Sequence, residues 1–97
     1  MRDIEFGPQA EDEFARAAFR YEGRAPGLGD RFIYEVMLAT DKIQRSPALF
    51  APLHGPFRHY VMGSFPFSLI YAYDDETVHI ISVHNHNRHP DHWKDRI

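Results

Sequence analysis

The sequence predicts an α+β fold, two layers deep, in which an antiparallel helical hairpin covers one face of a small, mainly antiparallel sheet in the order β-α-α-β-β-β. Three observations predict it. Two successive segments in the first half carry apolar residues at helical spacing and are separated by the short connector Arg24-Ala25-Pro26-Gly27. The second half holds strand-length apolar segments punctuated by turn residues. A helical hairpin must bury its stripe against something, and one face of that sheet is the surface on offer.

Arg2 to Phe6 alternates, with Ile4 and Phe6 on one side, and reads as a short strand. Gly7-Pro8 ends it. Proline suits a first helical position, because the N–H it lacks would be unpaired there. Glu11, Asp12 and Glu13 favour the positive end of a helix and read as a solvated start without chemistry. Ala10, Phe14, Ala17, Ala18 and Tyr21 form an apolar stripe at helical period. The first helix is therefore expected over Pro8–Glu22, closed by Gly23 in a left-handed conformation. The second is expected over Leu28–Arg45, with Leu28, Phe32, Val36, Ala39 and Ile43 as its stripe and Ser46-Pro47 as its stop. So short a connector makes the helices antiparallel neighbours.

Ala48–Pro56, interrupted by Pro52 and Gly55, reads as a loop. Phe57–Met62 reads as a strand and Gly63-Ser64 as a turn. Phe65–Tyr73 alternates and reads as a long strand with Pro66 at its beginning, where a missing N–H is tolerated. Asp74-Asp75-Glu76 is a hairpin turn. In the next strand, Thr77–His84, the residues Val78, Ile80, Ile81 and Val83 imply burial on both faces and so a central position. The segment from Asn85 to Ile97 is polar, with one helical turn expected at Pro90–Trp93. No repeat or linker divides the chain, so residues 1–97 read as one domain.

Composition sets bounds on function. With 97 residues, 43% hydrophobic and 14% aromatic, the chain can fill one core. It has no cysteine, which excludes disulfides, thiol catalysis and cysteine metal sites. No apolar run approaches the ~20 residues of a membrane span. The opening Met1-Arg2-Asp3-Ile4-Glu5-Phe6 lacks an apolar signal core, so a cytoplasmic location is expected, without membrane association. Eleven Lys and Arg against fourteen Asp and Glu give a formal charge of -3. That balance disfavours a general binder of phosphate backbones and leaves room for a local basic patch.

A resemblance emerges from the order of short motifs. Tyr21-Glu22 closes the first helix, Gly27-Leu28-Gly29-Asp30-Arg31-Phe32 opens the second, and Glu35-Val36, Ile43 and Ser46-Pro47 follow. Then come Arg58, Phe65-Pro66-Phe67, Ile70-Tyr71 and Arg88-His89-Pro90-Asp91-His92-Trp93. In this order and spacing the chain resembles, over nearly its whole length, toxins of the RelE/ParE superfamily, and within it the ParE-like branch of plasmid-stabilisation proteins. The resemblance implies the toxin of a type II toxin–antitoxin module. It implies growth inhibition by binding a protein target such as DNA gyrase, neutralisation by a cognate antitoxin, and contact with DNA only through that antitoxin. No cofactor is expected. The alternative is a RelE-like endoribonuclease that cuts mRNA on the ribosome. Two departures stand out. Asn85 occupies the place, three residues before Arg88, where the family often has a histidine. The RNA-cleaving relatives often carry lysines on the loop and strand after the second helix, and here Lys42 and Lys94 both lie elsewhere.

Several side chains could carry function. Arg58 offers a guanidinium for a phosphate or carboxylate, against the plainer reading of a surface ion pair. Arg88 follows the last strand, where functional side chains are common. In relatives an arginine there faces phosphate or the antitoxin; the plainer reading is an ion pair with Asp91. His84, His86, His89 and His92 cluster in sequence and read most simply as solvated. A nuclease would need a base, an acid and a cation over the phosphate, and His86 with Arg58 and Arg88 would be that set. Residues 84 and 86 share a strand face and have metal-ligand spacing. No carboxylate or cysteine completes a recognised motif, so no metal is expected. Phe65-Pro66-Phe67 and Tyr71 resemble a base-stacking platform, but alternating aromatics under two helices belong to a core. Trp93 reads as a lid over an open core edge and, with Arg58 and Arg88, as a candidate contact for target or antitoxin. A groove between hairpin and sheet would receive a partner segment that folds on binding.

Overall fold

Pro8 starts the first helix of a computed structural model that describes all 97 residues. Strand β1 (Asp3–Phe6) leads into α1 (Pro8–Arg24) and α2 (Leu28–Arg45). Strands β2 (Ala51–His54), β3 (Phe57–Val61), β4 (Phe67–Tyr73) and β5 (Thr77–Asn85) follow, and one 3-10 turn spans Lys94–Arg96. The sheet order is β1-β5-β4-β3-β2, with β1 parallel to β5 and every other pair antiparallel. This is the expected α+β architecture, and β5 is an inner strand as its apolar run implied.

The stripes meet where their periods place them. Phe32, Val36, Ala39 and Ile43 of α2 and Ala10, Ala17 and Tyr21 of α1 are buried against Phe67, Leu69, Tyr71, Val78, Ile80 and Val83 of the sheet. Phe32 is the aromatic centre, edge-on to both Phe65 and Phe67 with ring centroids 5.1 Å away. Each such side chain contributes about 1.5–3 kcal/mol by leaving water. The helices cross closely at Gly29. A Cβ there would lie 2.6 Å from the Ala18 carbonyl oxygen and 2.8 Å from the Glu22 Cβ. The Glu22 carboxylate also accepts the amides of Gly27 and Gly29, which fastens the connector.

Four local expectations need correction. Ala48–Pro56 is not all loop, because Ala51–His54 forms edge strand β2 on β3. Gly55, at φ +54°, makes the tight reversal between them. Pro52 is tolerated because an edge strand can leave one side unpaired. Gly23 does not end α1; the helix runs to Arg24, and Gly27 takes the positive φ, +85°, at the start of α2. Strand β4 begins at Phe67 rather than Phe65, since Pro66 lies in a bend closed by a bond from the Phe67 amide to the Phe65 carbonyl. The C-terminal helical turn forms at Lys94–Arg96, after the expected Pro90–Trp93. No helix is long and apolar enough to cross a membrane.

Candidate functional site

Alternation along β3 and β4 sorts the candidate residues onto two faces. Arg58 is paired in register with Tyr71, and His59 with Ile70. Tyr71 belongs to the helix-side core, where its hydroxyl donates to the Pro47 carbonyl; burial pushes its pKa up to about 12. Arg58 is therefore on the helix side too, and its Nη1 donates to the Phe50 carbonyl at 2.7 Å. His86, Arg88 and Trp93 lie elsewhere. They line a cavity of about 300 Å³ on the opposite face of the sheet, together with His59, Ser68, Ile70 and His84.

Trp93 closes that face. It is 1% exposed, packs edge-on against Phe57 and His54, and donates its indole N–H to the Pro90 carbonyl. It covers sheet, as a lid should, but the face away from the helices. His86 Nε2 lies 2.7 Å from the Ser68 hydroxyl. His84 is buried, its Nδ1 has no partner, and burial pushes its pKa below the ordinary 6.5. The four sequence-clustered histidines separate: His84 and His86 line this cavity, His92 faces a second surface, and the ring of His89 accepts the Asp91 amide in a tail turn. His59 joins the cavity instead. Its place was readable from the alternation of β3, which puts it on the face of Phe57 and Val61. No group of three or more His, Cys, Asp or Glu is arranged to hold a metal ion.

The second surface is a groove of about 560 Å³ between α1 and the segment following β5. Its walls are polar: Gln9, Asp12, Glu13, Arg16 and Arg20 from α1, and Asn85, Arg88, His92 and Arg96 opposite. It exists because β1 is short. Strand β1 pairs with β5 only from Thr77 to Ile80 and leaves the rest of that edge open. Side chains complete it. The Glu13 carboxylate accepts the Val83 amide and the Ser82 hydroxyl, and Arg96 donates to the Ile81 carbonyl. Arg96 also forms a two-pronged pair with Glu13, both bonds at 2.8 Å, and that hydrogen bonding raises the pKa of the arginine. The expectation that Glu13 is a solvated bystander is thus wrong. No local pattern signals this pair, because its members are 83 positions apart. Arg88 lines both surfaces and does not pair with Asp91, whose partner is Lys94.

Comparison with known proteins gives a consistent picture. No family model matches the chain. Two curated proteins named Toxin ParE2, from the CDC 1551 / Oshkosh and H37Rv strains of Mycobacterium tuberculosis, are 30% identical over 82 residues, covering 82% of this chain and 77% of theirs. A solved chain from the chromosomal ParDE TA system of P. aeruginosa shares the fold, with a TM-score of 0.76 over 88% of this chain and 96% of that chain, at 12% identity.

Proposed function

The chain belongs to the ParE-like toxins of the RelE/ParE superfamily, the toxin components of type II toxin–antitoxin modules, and from that premise we propose that it arrests growth by holding a protein target such as DNA gyrase. In this reading it performs no chemistry of its own, acts in the cytoplasm, and is neutralised by a cognate antitoxin, through which alone it meets DNA. The observation that carries the reading is the 30% identity to Toxin ParE2 over 82% of the chain.

The geometry supports binding over RNA cleavage. A nuclease would bring Arg58, His86 and Arg88 onto one phosphate. Arg58 is on the helix side of the sheet and bonded to the Phe50 carbonyl, while His86 and Arg88 line the opposite face. His86 is engaged by Ser68. Arg88, exposed and at the mouth of both surfaces, is the residue best placed to meet a partner, and Trp93 anchors the segment that carries it. Arg58 remains a candidate contact on the other face, beside the Phe50 carbonyl that it binds.

The test is expression in bacteria, with and without the adjacent reading frame, followed through plasmid supercoiling and message integrity. Arrest relieved by the neighbouring gene, with altered supercoiling and intact messages, is the expected result. Folded Arg88→Ala protein should arrest growth less. Normal growth at verified expression of folded protein, or cleaved messages with undisturbed supercoiling, would overturn the proposal.

A further inference from the structure

The face of the sheet turned away from the helices carries a cavity of about 300 Å³, and one of its walls is a buried histidine with an unpaired ring nitrogen. We propose that this cavity binds a small molecule with an apolar body and one carboxylate, whose oxygen accepts a hydrogen bond from Nδ1 of His84. The inference goes beyond the inhibition of a protein target: it concerns a ligand held by the toxin itself, whatever that target is.

Strand register builds the site. Val61 pairs with Ser68 and Ser68 with His84, so the three form one row across β3, β4 and β5. His59, Ile70 and Ser82 form the next row, two residues along each strand and therefore on the same face. His84 is 8% exposed, and its Nδ1 is enclosed without a hydrogen bond. Buried polar atoms in folded proteins are paired as a rule, so an enclosed, unpaired nitrogen on a cavity wall points to a ligand that supplies the partner. The neighbouring hydroxyl does not supply it: Ser68, beside His84 in the row, lies 2.7 Å from His86 Nε2. Burial holds the His84 pKa below the ordinary 6.5, so at neutral pH the ring is uncharged and its single N–H can stand on Nδ1 and donate.

The lining defines the chemistry of the ligand. Val61, Ile70, Pro90 and Trp93 offer it an apolar surface. The polar groups are His59, Ser68, His84, His86 and Arg88, and no carboxylate is among them. A ligand cation would find no counter-charge here, whereas a carboxylate meets one permanent cation and the His84 donor. A single permanent cation suits a monoanion better than a phosphate dianion, whose second charge would leave water uncompensated. A nucleotide also needs an open aromatic face on which its base can stack. Trp93 offers none, being 1% exposed with Phe57 and His54 against it. Small-molecule pockets span about 300–1,000 Å³, and a cavity of about 300 Å³ suits a compact acid rather than a peptide arm.

The full chain carries its own reporter, because its one tryptophan, Trp93, lines the cavity. Trp93 fluorescence is titrated with phenylpropionate, with isothermal calorimetry as a second readout. The comparisons are phenylpropionamide, which keeps the body without the charge, acetate, which keeps the charge without the body, inorganic phosphate and uridine monophosphate. Phenylpropionate should saturate with a Kd below about 1 mM, as an efficient ligand of its size can. Each comparison should bind at least about tenfold more weakly. His84→Leu removes the nitrogen at similar volume and should weaken phenylpropionate by at least about tenfold, and His84→Gln, which restores a donor, should recover part of the loss. His79→Gln changes a histidine outside the cavity, close to Asp74 and Glu5, and should alter binding less than about twofold. Thermal melting checks folding, and the comparison of acid with amide on the unaltered protein needs no variant at all. The absence of saturable phenylpropionate binding, equal binding of acid and amide, or undiminished binding to folded His84→Leu protein overturns the proposal. So does uridine monophosphate or phosphate binding more tightly than phenylpropionate.

Discussion

Replacing Glu13 by alanine measures how far one carboxylate holds the open edge of the sheet. Its Oε1 accepts from Arg96 at 2.8 Å, from the Ser82 hydroxyl at 3.0 Å and from the Val83 amide at 3.1 Å, while Oε2 takes the second Arg96 bond at 2.8 Å. The Arg96 side chain is 10% exposed and that of Glu13 21%, so the pair lies mostly out of water. Removing one partner of a fully buried pair costs about 3–5 kcal/mol, whereas a surface pair is worth about 0–1 kcal/mol. In Glu13→Ala the Val83 amide loses its acceptor, at about 1–3 kcal/mol. Arg96 keeps the Ile81 carbonyl and some solvent, so its uncompensated charge adds roughly 1 kcal/mol, below the buried limit. The expected loss is about 2–4 kcal/mol, which for a domain of this size lowers Tm by about 10–25 °C. Glu13→Gln keeps an acceptor for Val83 and should lose about half as much. Arg96→Met removes the guanidinium while Val83 stays paired, and should cost less than Glu13→Ala. Circular-dichroism melting of the single variants and of Glu13→Gln/Arg96→Met closes a double-mutant cycle. A Glu13→Ala protein that melts within about 3 °C of wild type, a shift under about 1 kcal/mol, would show that this carboxylate does not hold the sheet edge.

Three further outcomes follow from the packing and the charges. Gly29→Ala should cost about 1–3 kcal/mol, because its Cβ meets the Ala18 backbone oxygen at 2.6 Å; an unchanged denaturation midpoint would show that the helices part freely. Phe32→Ala and Leu69→Ala, both at sites 0% exposed, should cost about 2–5 kcal/mol each and abolish growth arrest by unfolding, and a folded, inactive Phe32→Ala protein would contradict that link. His84 is held below its ordinary pKa of 6.5 chiefly by burial, with Glu13 opposing and His86, His92 and Arg96 reinforcing. The unfolded chain therefore takes up the proton first, so stability should be full above about 6.5 and fall as pH drops through that value towards the depressed one. Urea midpoints at successive pH values should show this slope in wild type and a shallower one in His84→Met; equal slopes would clear His84 of the effect.

The two helices were legible because seventeen and eighteen residues repeat one apolar period, and a stripe that long outweighs any single exception. Their boundaries were less legible. Gly23 and Gly27 are both plausible left-handed residues, and it is the Glu22 carboxylate, reaching forward to the amides of Gly27 and Gly29, that holds the turn at Gly27. Strand β2 was hidden for another reason. All four of its residues are exposed, so it carries no apolar signature, and its identity comes from pairing with β3 across Gly55. Of the residues that line the two surfaces, Arg88 and Trp93 stand out by motif and position, whereas His59 was passed over, although the alternation of β3 would have placed it. The Glu13–Arg96 pair was not legible, since it arises only because β1 stops at Phe6 and leaves the Val83 amide to be satisfied.

Local pairing of the acids makes net charge a poor guide to this surface. Among the chain's fourteen acids, many are spent locally. Glu22 serves the helix connector, Asp74 accepts the Glu76 and Thr77 amides, Asp41 and Asp12 bind arginines one helical turn on, and Asp91 binds Lys94. Glu13 closes the sheet edge with Arg96. A charge satisfied at 3 Å contributes little to the field felt by an approaching partner, because its counter-charge sits beside it. What a partner meets is the remainder, and in the groove beside α1 the remainder is Arg20 and Arg88. A formally acidic toxin can thus present a cationic site, provided the fold consumes the neighbouring carboxylates first. The placement of Glu13 opposite an unpaired strand edge does so here: one residue completes the sheet, neutralises Arg96, and leaves Arg20 and Arg88 as the free cations of the groove.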